Sequence, residues 1–253
     1  MVMILGISGK KQAGKNTMAN VMHGEILKSL GSIEDFSINE VGQLVIKTSV
    51  CGDEEFGILD VTRRDKSFFE YAHYNIWPYI KLYSFADGLK GLCMEFFGIS
   101  SDQAYGTDDD KNTYTKIMWE DTPTWENSSR NKNRGSMTAR ELLQYFGTDI
   151  MRKMYYNVWV DHAINTIQRE QSKLAVVADV RFPNEVEAIK SAGGKVVRLT
   201  RQYQNDGHSS ECALDEENYD WKNFDYVLDN SSNSPESFCG QVSKLFNKLE
   251  LTC

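Results

Sequence analysis

The sequence predicts an α/β fold in which a central parallel β-sheet carries helices on both faces and is interrupted by two insertions. Three observations carry that reading. Short apolar runs at Met3–Ser8, Tyr79–Phe85, Leu174–Ala178 and Lys195–Leu199, with a weaker one at Tyr226–Leu228, are continuous rather than alternating, as suits strands covered on both faces. Between and around them, Lys15–Leu30, Gly88–Phe97, Ala139–Phe146, Val158–Glu170, Glu185–Ala192 and Pro235–Leu249 place apolar residues at the three- and four-residue spacing of helices. The first run also leads straight into GKKQAGKNT, residues 9–17, a glycine-containing turn ahead of a helix. No repeat with a period of about 20 to 50 residues is present, so residues 1–253 read as one domain.

Taken in order, the opening strand delivers Gly9 and Gly14, which allow a turn whose backbone N–H groups point inward. The helix behind it adds a positive N-terminal end, so the turn is built to hold an anion. It nearly spells G-x-x-x-x-G-K-[ST], with Lys15 placed for the outer phosphates of a nucleotide and Asn16 where a hydroxyl would help hold magnesium. An amide oxygen is a weaker ligand than a carboxylate and Thr17 carries a hydroxyl one position later, so both Asn16 and Thr17 are metal candidates. Residues 34–70 read as an inserted β-hairpin, QLVIKTSV and ILDVTRR flanking CGDEEFG.

The strand at Tyr79–Phe85 ends in YSFADGLK, residues 83–90. In doubly wound sheets ligands sit beyond the carboxyl ends of strands, which places Lys90 to meet an acceptor phosphate; the plainer reading is an N-cap at Asp87 and a surface lysine. Residues 101–137 are polar and aromatic with little period, either a solvated loop or a lid, and Arg130, Lys132 and Arg134 cluster near their end. Thr138 opens the next helix, with Arg140 and Gln144 four apart on one face, and Gly147-Thr148-Asp149 is expected to break it. Trp159 offers a flat face to a base or packs in the core.

Asp179 leaves the buried strand at its carboxyl end, where a phosphoryl-transfer site holds magnesium through water or orients the attacking oxygen, and Arg181 would face the transferred group. Pro183-Asn184 and Gly193-Gly194 punctuate the helix that follows. Beyond Leu199, Glu211 can accept hydrogen bonds from a sugar hydroxyl or base amine, while His208 lacks a neighbour at metal-ligand spacing. The polar turn DNSSNSPESF, residues 229–238, brings Asn230 toward an adenine by analogy only.

Composition narrows the classes of function. A formal net charge of −8 argues against a broad grip on nucleic acid. Five cysteines form no C-x-x-C pair, which speaks against a disulfide framework or a zinc site and for reduced thiols in a cytosol. The apolar opening is far short of the ~18 residues that span a bilayer, so no membrane anchor is expected.

In order and rough spacing, GKKQAGKNT, SFADGLK, TARELLQYFGTDI, NVWVDHAI, VVADVRFPNEVEAI and LDNSSNSPESF resemble the phage deoxynucleoside monophosphate kinases of the P-loop kinase superfamily, where G-K-[DN]-T stands in place of G-K-[ST]. The likeness touches both ends and the middle of the chain but not residues 34–70 or 101–137. It implies a three-layer P-loop kinase fold and transfer of the γ-phosphoryl group of ATP, with Mg2+, to a deoxynucleoside 5′-monophosphate in the cytoplasm. It further implies that Gly9, Gly14, Lys15, Asn16, Thr17 and Asn230 contact ATP and metal, and that Lys11 bridges the two substrates. Around the acceptor it sets Leu89, Lys90, Arg140, Gln144, Gly147, Thr148, Trp159, Asp179, Arg181 and Glu211, with Lys11, Lys15, Arg140, Asp179 and Arg181 closest to the chemistry. Gln12 departs from a basic residue expected beside Lys11, and Asn16 lacks the charge of Asp; Arg130 and Arg134 closing over the phosphates would compensate. The competing readings are a kinase of the dephospho-coenzyme A type and an ATP-binding regulatory module without transfer. The cations Lys90, Arg140 and Arg181 favour an acceptor that is already ionised. No stable nucleic-acid partner is expected, and a homodimer is left open.

Overall fold

Ile4, Leu5 and Ile7 each lose nearly all their exposure in the first strand, β1 (Met3–Ser8), and alternate between two sides of the sheet. Leu5 and Ile7 pack with Met18 and Met22 of helix α1 (Lys15–Ser29), whereas Gly6 on the other side lies against Ile189. The computed structural model describes residues 2–50, 53–122, 134–201, 212–231 and 234–249. The chain divides into two compact units, Met1–Ser84 with Ile164–Cys253, and Phe85–Ala163.

In the first unit an antiparallel sheet follows α1, made of β2 (Asp35–Ile38), β3 (Leu44–Val50) and β4 (Asp53–Ile58) in that order. Helix α2 (Lys66–Asn75) and strand β5 (Ile80–Tyr83) come next. After the second unit's segment the chain returns with β8 (Leu174–Val180), α8 (Pro183–Ser191), β9 (Lys195–Leu199), β10 (Tyr226–Leu228) and α9 (Pro235–Lys248). The five-stranded sheet has the order β10-β9-β1-β8-β5 and every pair is parallel. One face carries α1 and α9, whose Phe238, Val242, Leu245 and Phe246 join Val176 and Val197 in the core. Helix α8 reaches the other face through Ile189 at Gly6. This is the α/β architecture expected, consistent with a P-loop kinase fold.

The insertion at 34–70 differs from a hairpin between QLVIKTSV and ILDVTRR. The partner of β3 is DEEFGI itself, registered from Val50 against Asp53 to Val45 against Ile58, and β2 adds a third strand. All six residues of β4 are exposed, so no burial pattern marked it in the sequence. Helix α2 was also not anticipated. It starts at Asp65, whose carboxylate accepts from the Phe68 amide at 3.0 Å, and buries only Phe68 and Ala72, a four-residue repeat too short to stand out.

The second unit holds α3 (Asp87–Phe97), α4 (Ser101–Tyr105), α5 (Asp108–Lys111), β6 (Tyr114–Met118), β7 (Ser136–Thr138), α6 (Ala139–Gln144) and the start of α7 (Val158–Glu170). Its own core gathers Cys93, Ile99, Ala104, Met137, Leu142 and Tyr145. Residues 101–137, expected to be irregular, contain two short helices that begin in reciprocal caps, Ser100 with Gln103 and Thr107 with Asp110, and a β6–β7 pair. Among the described residues no helix is long and apolar enough to cross a membrane.

His23 is buried in α1 with Nδ1 bonded to the Ala19 carbonyl oxygen at 2.8 Å, and burial pulls its pKa down to about 4. The folded state thus resists a proton that the unfolded chain accepts near the ordinary value of 6.5. Stability should fall as pH drops from 6.5 to about 4, by on the order of 3 kcal/mol, and level off below. Urea unfolding of the wild type and of His23→Leu at pH 7 and pH 4.5 checks this, since the variant should lose that part of the pH dependence.

Candidate active site

The carboxyl ends of the five parallel strands each present polar groups: Gly9 after β1, Ser84 after β5, Asp179 and Arg181 at β8, Arg201 after β9 and Asn230 after β10. The loop between β1 and α1 is held from several sides. Lys15 folds back so that its ammonium donates to the carbonyl oxygens of Gly9 and Lys10, both at 2.7 Å. The Asn230 side chain donates to the Ala13 carbonyl at 2.8 Å and accepts from the Arg201 amide at 2.8 Å, while Arg201 Nε donates to the Asn230 carbonyl at 3.0 Å. Gly14 has φ +91°, a conformation that glycine adopts without strain, and the next residue enters the helix. Gln12 sits at φ +62°, one of two non-glycine residues with positive φ among those described, which costs of the order of 1 kcal/mol or more and fits a loop shaped for a ligand.

Sequence reasoning did not find the ion cluster that anchors the second loop residue. Lys10 is buried and pairs with Asp215 at 3.0 Å; Arg198, also buried, donates to Asp215 at 3.2 Å and to the Ser8 hydroxyl at 3.0 Å, with its guanidinium 5.3 Å from the Trp221 ring. The available signal was an arginine inside the apolar run KVVRL, because a cation in a buried strand must find an anion. Ser84 and Glu185 were missed as well. The Ser84 hydroxyl donates to Asp179 Oδ2 at 2.5 Å. Buried Glu185 accepts from the amides of Arg181, at 2.7 Å, and Phe182, at 3.0 Å, which fixes the turn that carries Arg181.

Of the candidates in this unit, the loop residues, Asp179, Arg181 and Asn230 therefore stand at neighbouring strand ends, with Ser8 registered against Val180. Lys11 and Asn16 are exposed and Thr17 is half-buried. Asn230 is 1% exposed, and its side-chain amide clamps the loop by bonding the Ala13 carbonyl and the Arg201 amide.

Within the second unit, Leu89 packs directly on Gly147: a Cβ added there would come within 2.6 Å of Leu89. Trp159, 4% exposed, donates its indole N–H to the Gly147 carbonyl at 3.1 Å, which places it in the core, the other of its two readings. Gly147-Thr148-Asp149 does not break the helix. Residues Tyr145–Arg152 continue α6 as a wide π-helix, a form found preferentially at functional sites, with Thr148 exposed on it. Lys90 lies over the Tyr105 ring at 4.3 Å. Arg140 donates to Asp108 at 2.7 Å and Asn112 at 3.0 Å, and Gln144 is exposed. Arg134 is exposed, and Arg130, Lys132, His208 and Glu211 lie outside the described residues.

The glycine-containing loop thus lies at the carboxyl end of a buried parallel sheet, with the Lys15 ammonium folded onto it and the Asp179 carboxylate on the neighbouring strand. Residues 92–234 match the deoxynucleotide monophosphate kinase family, more than half of the chain, and the protein belongs to that family. It is also 29% identical over 182 residues to "Putative deoxynucleotide monophosphate kinase" of Acanthamoeba polyphaga mimivirus, a match that covers 66% of this chain and 84% of the relative. The protein is accordingly a nucleotide kinase, a transferase that draws on a nucleotide phosphoryl donor.

Asn230→Ala should leave the Ala13 carbonyl and the Arg201 amide without their partner in a buried setting. A loss of about 1–3 kcal/mol in urea unfolding is expected, together with weaker nucleotide binding.

Proposed function

We propose that the protein transfers the γ-phosphoryl group of ATP to the 5′-phosphate of a deoxynucleoside monophosphate, releasing ADP and the deoxynucleoside diphosphate. The observation that carries this reading is the loop itself, with Lys15 folded onto the Gly9 and Lys10 carbonyls, in a chain of the deoxynucleotide monophosphate kinase family. An acceptor phosphate oxygen would attack the γ-phosphorus as the bond to the β,γ-bridging oxygen breaks. The acceptor is ionised already, so no side chain has to remove a proton, and the protein's part is positioning and cancelling charge. Lys15 would exchange the loop carbonyls for the outer phosphates, and Lys11, exposed on the same loop, would bridge donor and acceptor. Arg181, on the turn fixed by Glu185, would meet the transferred group. On the second unit, Leu89, Lys90, Gly147 and Thr148 are the residues proposed to hold the acceptor; Arg140 would first have to leave Asp108.

Magnesium would stabilise the charge that builds on the phosphates. The residues suit an ion that arrives on the triphosphate: among the described residues no group of three His, Cys, Asp or Glu could hold a metal by itself, and Mg2+ commonly takes one or two protein oxygens beside phosphates and water. The Asn16 amide and the Asp179 carboxylate supply such oxygens, and the exposure of Asn16 favours it over Thr17.

The test is ADP formation with ATP and magnesium against each of the four common deoxynucleoside monophosphates and their ribose counterparts. Acceptor-dependent ADP with at least one deoxynucleotide is expected; ADP formed without acceptor dependence, or only with another acceptor, would overturn the reading. Lys15→Met should lower kcat by about a hundredfold or more, the loss seen when one preorganised donor to a developing charge is removed.

A further inference from the structure

The inserted sheet is seated on the helix that begins the phosphate loop's anion site. Thr17, Asn20 and Gly24 follow one another at three and four residues on α1 and so form one stripe along it. Each meets the insertion. The Phe36 ring of β2 lies so close to Gly24 that an added Cβ would be 2.4 Å from it. One turn nearer the loop, Asn20 Nδ2 donates to the Gly42 carbonyl at 2.8 Å. In the first turn of the helix, the Thr17 hydroxyl would be 2.5 Å from a Cβ on Gly42, whose φ is +84°.

The turn that bears Gly42 is itself tied down. Asn39 Oδ1 accepts from the amides of Val41 at 3.2 Å and Gln43 at 2.9 Å, the Gly42 amide donates to the Asn39 carbonyl at 2.9 Å, and Asn39 Nδ2 donates to Gln43 Oε1 at 2.8 Å. A turn braced in this way sets where its contact lies. The amides that can cradle phosphate belong to the loop and to the first turn of α1, and Thr17 is the third residue of that helix. Contact at Thr17 and Asn20 therefore acts on the part of the helix that a phosphate would meet.

We propose that Gly42 and Asn20 are positioning residues for the phosphoryl donor: the inserted sheet, through them, holds the first turn of α1 in the orientation that the donor's phosphates require. This rests on the reading of the loop as the ATP site. Gly42→Ala would push on Thr17 and, at φ +84°, also strain the turn that bears it. It should weaken ATP binding about tenfold, the size of a modest overpacking penalty, with the KM of the acceptor unchanged. Combining it with Thr17→Ala removes the obstructed hydroxyl, so the loss caused by Gly42→Ala should be smaller in the Thr17→Ala background than in the wild type.

Calorimetric titration with ATP, alongside the KM of each substrate, reads these effects. Asn20→Ala, which adds no volume, serves if Gly42→Ala does not fold; it removes the hydrogen bond to Gly42 and should weaken ATP about threefold. Unchanged ATP affinity in either folded variant, additive losses in the double variant, or an equal rise in the acceptor's KM would overturn the proposal and leave the donor site intact. Failure of the wild type to bind ATP would instead overturn the donor-site reading on which it rests.

Discussion

The contact between Asn230 and the Ala13 carbonyl fixes the middle of the loop between β1 and α1. Loop backbone between a strand and a helix has no ladder partner, so its carbonyls need donors from elsewhere. Asn230 satisfies Ala13, and Lys15 satisfies Gly9 and Lys10. The Asn230 bond does not involve Lys15, so it can hold the turn with its amide side toward an anion when Lys15 exchanges the carbonyls for phosphate. The sheet order makes this feasible, because β9 lies directly beside β1 and β10 follows it, so the chain after β10 returns Asn230 to the loop.

Charge beneath the loop imposes a second condition. Lys10 and Arg198 are both buried and share the Asp215 carboxylate. Such clusters add little net stability over apolar packing, but a broken one leaves an uncompensated charge in a medium that tolerates it poorly. The shared carboxylate thereby ties Lys10 of the loop to Arg198 of β9. Glu185 does comparable work at the β8–α8 turn, where it caps the helix and at the same time fixes the backbone of Arg181.

The second unit uses packing for the same end. Trp159 holds the Gly147 carbonyl, and Leu89 fills the space that a side chain at 147 would take. Between these contacts the helix widens over Tyr145–Arg152 and leaves Thr148 exposed. A larger residue at 147 would collide with Leu89 there.

The sequence alone determined the elements with strong local signals. The continuous apolar runs marked β1, β8 and β9, because strands buried on both faces leave no polar alternation to confuse them. The loop was legible from its glycines, its lysine and the strand and helix around it, and Asp179 from its place at the end of an apolar run. Tertiary structure decided what depends on partners distant in the chain. Exposed β4 and short α2 carry too little burial to imprint a period. The partners of Lys10, Arg140 and Asn230 lie on segments far away in sequence or on separate elements, and a side chain's role follows from what folding places beside it: Asp215 for Lys10, Asp108 for Arg140 and the Ala13 carbonyl for Asn230. Local pattern sets which backbone forms, since it depends on neighbours a few residues away; the use of a polar side chain depends on long-range contacts that only the folded chain creates.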